Sequence, residues 1–111
     1  MKKFTTRVEL HNEAAEDTDI YQYLHSEMEN AGFSRTVTGN DNKEYHLPDA
    51  EYYISAADTI EETDIRKKAI DATVKAIQDN TKIKLPKAEK HYSILVTGHS
   101  KLAWIGLKLV E

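Results

Sequence analysis

Cysteine is absent from this sequence, proline occurs twice and glycine four times. Without cysteine there is no disulfide, no thiolate metal site and no thiol nucleophile. The isolated glycines, Gly32, Gly39, Gly98 and Gly106, build no phosphate-cradling loop. No apolar run reaches the ~18 residues from which a membrane-spanning helix is read, and Met1-Lys2-Lys3-Phe4 lacks the apolar stretch of a signal peptide. A cytoplasmic protein with no membrane contact is the simplest expectation. A basic excess is missing too: 15 Lys and Arg stand against 19 Asp and Glu, a net charge of −4. Proteins that grip nucleic acid through its phosphates usually show the opposite balance. Any RNA contact must therefore come from a local patch.

What is present is periodicity. The 111 residues suffice for one domain, 1–111, burying roughly two-thirds of its unfolded surface. From Lys3 to His11 side chains alternate, with Phe4, Thr6, Val8 and Leu10 opposed to Thr5, Arg7 and Glu9, as in a strand covered on one face only. Asp17-Thr18 can cap a helix. Ile20, Leu24, Met28 and Ala31 form its apolar stripe, and Gly32 can end it in the left-handed conformation with Phe33 folding back. Phe33 to Thr38 reads as a short strand with Phe33, Arg35 and Val37 on one face, and Glu51 to Ala57 alternates as a third. Thr59-Ile60-Glu61-Glu62 matches a capping box, ahead of a helix whose stripe runs from Ile65 to Ile77. After a connector from Lys82 to Glu89, Tyr92 to Thr97 is a fourth strand, and Leu102 to Val110 reads as a fifth. Helices packing together on one sheet face give an α+β fold of the ferredoxin-like split βαβ plan. That plan sets the first strand between the third and fourth.

Five histidines are the first candidates for chemistry. His25 and Glu29 lie one helical turn apart, which offers two metal ligands but no site. The plain reading is a surface pair. No metal or cofactor is expected. On the uncovered sheet face Arg7 and Tyr53 resemble the elements of a base-binding surface, although the Gly-aromatic pattern of RNA-recognition modules is lacking. Arg66-Lys67-Lys68 on the second helix forms a basic cluster, with the acidic Glu61, Glu62 and Asp64 close by in sequence.

The run Lys3-Phe4-Thr5-Thr6-Arg7-Val8, then Leu24-His25-Ser26-Glu27-Met28 with Gly32-Phe33-Ser34, then Leu47-Pro48 before Tyr52-Tyr53-Ile54, resembles the GhoS-type family of small bacterial proteins. The likeness spans roughly the first two-thirds of the chain. It implies a ferredoxin-like fold and an endoribonuclease activity belonging to a toxin–antitoxin pair, with RNA as partner. In metal-independent cleavage a ribose 2′-hydroxyl attacks the adjacent phosphate, which calls for a proton carrier and surrounding cations. On this expectation His25 is the catalytic residue, Arg7 and Arg35 hold phosphate, and Tyr53, Arg66 and Lys67 add RNA contacts. The alternative is a non-enzymatic homodimeric interaction module, with Trp104 in the tail as a buried anchor.

Overall fold

The computed structural model describes residues 1–16, 19–99 and 103–110. It is an α+β structure of antiparallel sheets and helices. The elements are β1 (Lys2–Leu10), a 3-10 turn (Asn12–Ala15), α1 (Ile20–Asn30), β2 (Thr36–Thr38), β3 (Glu44–His46), β4 (Glu51–Ala56), α2 (Glu62–Asn80), the single turn α3 (Ala88–His91) and β5 (Tyr92–His99).

β1 lies in the middle of a three-stranded sheet ordered β4-β1-β5. Thr6 faces Tyr52 on one side and Val96 on the other. The expected central position of the first strand therefore holds. Sheet extent differs from the expected plan. β2 and β3 form their own two-stranded sheet, joined to β4 by one bridge in which Ser34 and Tyr53 exchange both backbone hydrogen bonds at 2.7 Å. The loop that the sequence leaves unassigned, Lys43 to Asp49, supplies β3.

The fifth strand expected over Leu102 to Val110 is corrected. Leu102 lies outside the described residues, and from Ala103 to Val110 the only pairing is an isolated bridge of Leu109 with Tyr45. The His46 and Val110 amides close it, donating to Lys108 and Glu44 carbonyls at 2.8 and 3.0 Å. Gly106, at φ 76°, bends the chain where the apolar alternation suggests continuity. Alternation alone does not provide a partner edge.

The helix ends show local chemistry at work. Phe33 N–H donates to Met28 O and Gly32 N–H to Glu29 O, both at 3.0 Å, and Gly32 sits at φ 100°. This is the glycine-terminated helix end that satisfies two orphan carbonyls. The cap expected at Asp17-Thr18 lies outside the described residues. On α2 the capping box is displaced by two residues. Ala57 to Ile60 form a turn, with Ile60 N–H on Ala57 O at 3.0 Å, so Glu61 becomes the cap and Asp64 accepts its N–H at 2.9 Å.

α1 and α2 pack on each other, and α2 packs on β1 and β5. Between them and the sheet lie Phe4, Val8, Leu24, Met28, Tyr52, Ile65 and Ile77, all buried. Side chains of this size each contribute roughly 1.5–3 kcal/mol on burial. No helix among the described residues is long and apolar enough to cross a membrane.

Candidate functional site

His25 stands in the middle of α1, beside the core stripe Ile20, Leu24 and Met28. Its Nδ1 lies 2.6 Å from the hydroxyl of Tyr52, which β4 sends into the core side of the sheet, fully buried. A buried phenol needs a hydrogen-bond partner, and among the described residues His25 Nδ1 is the one it has. Burial pushes the Tyr52 hydroxyl well above the usual phenol range, so the O–H stays protonated. The tautomer in which this O–H donates to Nδ1 satisfies the buried phenol and carries the imidazole proton on Nε2. His25 itself is half-buried.

Burial, followed by the charge of Arg35, lowers the His25 pKa from its ordinary 6.5, and Glu29 and Asp49 oppose the shift. Arg35 is also felt at Tyr52. Its charge thus reaches both partners of the hydrogen bond, from the bend between the Ser34 bridge and β2. The edge of the sheet near α1 therefore carries a neutral imidazole N–H and a permanent cation together. Both are hydrogen-bond donors, and an anion is the ligand they suit.

This geometry alters the chemistry expected of His25. In that tautomer Nδ1 is engaged by Tyr52 and the neutral ring offers Nε2–H as a donor.

The remaining candidates are dispersed. Arg7 projects from the opposite, uncovered face and is held by Glu9, at 2.8 Å, and by Glu51, at 3.5 Å. It cannot share one phosphate with His25 across the thickness of the sheet, and two carboxylates already neutralise it. Tyr53 lies on that same face, its hydroxyl 3.1 Å from Ser55 Oγ and its ring 6.5 Å from that of His99. His99 in turn pairs with Thr5 Oγ1 through Nε2 at 2.8 Å. Arg66 and Lys67 are exposed on α2 and make no ion pair among the described residues. His11 and His91 meet through their backbones, the His11 N–H donating to His91 O at 2.8 Å.

Tyr52 is the functional-looking residue that sequence reasoning passed over. Tyr52 carried a signal: a polar-tipped aromatic at a core position of an alternating strand requires a partner. Among the described residues no three His, Asp or Glu side chains are grouped to hold a metal ion. No protein-family model, curated protein or solved structure matches the chain.

Proposed function

We propose that the protein binds single-stranded RNA, contacting phosphate through Arg35 and the Nε2–H of His25. The observation that carries this reading is the Tyr52–His25 hydrogen bond beside Arg35. A histidine pinned as a neutral donor next to a guanidinium offers preorganised donors to a phosphate oxygen. The likeness to the GhoS-type family points the same way. The ferredoxin-like plan belongs to this proposal, with the segment around Ser34 read as its reduced fourth strand. RNA fits better than duplex nucleic acid because the donors sit at one narrow edge of an acidic protein rather than along a basic stripe.

The test is fluorescence anisotropy of a labelled single-stranded RNA in EDTA, with strand integrity checked on a gel. Saturable binding that weakens about tenfold in Arg35→Gln, the loss of one charge-assisted contact, is the expected result. Absence of binding contradicts the proposal. Strand cleavage that disappears in His25→Ala would make His25 a proton carrier instead of a donor, and the endoribonuclease expectation would then apply.

A second reading has one observation behind it. Leu95 stands 65% exposed on the uncovered sheet face, where a second copy of the chain could cover it. Trp104, expected as the dimer anchor, is instead engaged within the chain by Tyr45, with ring centroids 5.6 Å apart. Light scattering that returns a dimer for the wild type and a monomer for Leu95→Lys would favour this reading.

A further inference from the structure

A cavity opens beside the Ser34–Thr36 segment. It is a cleft of about 720 Å³ lined by Lys3, Ser34, Thr36, Glu44, Tyr53 and Trp104, among others. That volume lies within the range of roughly 300–1,000 Å³ seen for small-molecule sites.

Its aromatic wall is built, not incidental. Trp104 rests against Tyr45 with the rings tilted by 53°. Tyr45 is fixed by donating its hydroxyl to Asp41 Oδ2 at 2.6 Å, and the other Asp41 oxygen accepts the Lys43 N–H at 3.0 Å. Gly39 completes the support. A Cβ there would meet Trp104 Cζ2 and Tyr45 Cε2 at 3.3 Å each and Asp41 Oδ1 at 2.9 Å. A glycine at this position lets the indole approach the hairpin, and the hairpin holds it in place.

The polar groups are distributed by charge. Lys3 comes from β1, and its amine makes no ion pair among the described residues. Glu44 enters from β3, beyond β4 and β2. Between them the Ser34 and Thr36 hydroxyls lie 3.1 Å apart. The cleft thus offers a cation at one end, hydroxyls in the middle, a carboxylate at the other end and aromatic rings along its sides. A nucleotide presents the complementary set: phosphate, ribose hydroxyls, the N–H edge of a base and a flat ring that stacks on aromatics.

We infer that this cleft binds one nucleotide, with its base against Trp104 or Tyr53 and its phosphate toward Lys3. The inference deepens the RNA reading and rests on it only for the choice of nucleotide as ligand class. The cleft shares no side chain with the Arg35–His25 edge.

Trp104 is the single tryptophan of the chain, so its indole N–H resonance reports on the cleft alone. The experiment follows that resonance by heteronuclear NMR in two arms, one with uridine or adenosine monophosphate and one with a short single-stranded oligouridylate. Saturable displacement in both arms is expected, with about tenfold weaker binding in Lys3→Gln and unchanged core resonances. Displacement by the mononucleotide alone would keep the cleft as a free-nucleotide site and remove the RNA reading. An oligonucleotide that binds by anisotropy without moving the indole signal would overturn the cleft and leave the RNA reading standing. No displacement in either arm, or Lys3→Gln binding as tightly as wild type, overturns the assignment.

Discussion

The two faces of β1 solve different problems with the same backbone. On the covered face Phe4, Thr6 and Val8 are completely buried. On the uncovered face Arg7 and Glu9 neutralise each other, and Thr5 reaches across to His99. The covered face draws its stabilisation from apolar area removed from water, which mutation cannot restore locally. The uncovered face has its polar groups satisfied by near neighbours in contact with solvent, where such pairs add little. Stability and recognition are therefore separable across the thickness of one sheet.

The sharpest way to break that contrast is to remove a ring from the covered face. Phe4→Ala should lower unfolding free energy by about 3–5 kcal/mol in chemical denaturation, and a loss near zero would mean the core is not where it is drawn. Tyr52→Phe should cost about 1 kcal/mol, the net value of one buried hydrogen bond. It should also free the His25 Nδ1, a change visible in the imidazole nitrogen shifts. Thr6 tests the same face with the opposite sign. Its hydroxyl is buried with no hydrogen-bond partner among the described residues, so the near-isosteric Thr6→Val should raise stability by about 1 kcal/mol. Arg7→Ala, on the uncovered face, should leave the denaturation midpoint nearly unchanged, since Arg7 is exposed and its closest pair, with Glu9, is screened by solvent.

Acid sharpens the comparison further. The folded state lowers the His25 pKa below its ordinary 6.5, so around and below that value the unfolded chain binds more protons at this site than the folded one. Stability should then fall as pH drops through 6.5 and level off below the folded pKa. Denaturation midpoints across this window, compared with His25→Gln, isolate the contribution: the variant should show a shallower dependence. The Tyr45 hydroxyl and the Lys43 amide hold the Asp41 carboxyl below its ordinary value. That group acts only in a more acidic range and leaves this window clear.

Much of the fold was legible where a local rule sufficed. Alternation from Lys3 to His11 located β1 and both its faces, and Gly32 with Phe33 announced the end of α1. The tail was misread because Ile105, Leu107 and Leu109 alternate as a strand does, yet no rule in the sequence names the edge such a segment must join. Pairing partners far apart in the chain were equally invisible. Tyr52 and His25 are 27 residues apart, and their hydrogen bond, which decides what the histidine can do, exists only once α1 lies across β4. Arg7 and His25 were named together for RNA although the alternation of β1 and the one-sided packing of the helices already set them on opposite faces of the sheet.

The proposed phosphate site at the Arg35–His25 edge is most directly tested by salt-dependent anisotropy with a single-stranded RNA, comparing Arg35→Gln with a double Arg66→Gln, Lys67→Gln variant. If the edge holds phosphate, Arg35→Gln weakens binding about tenfold and lowers the salt slope by roughly one phosphate contact, while the α2 double variant binds as the wild type does. Binding lost in the α2 variant and kept in Arg35→Gln, or no binding by the wild type, contradicts it.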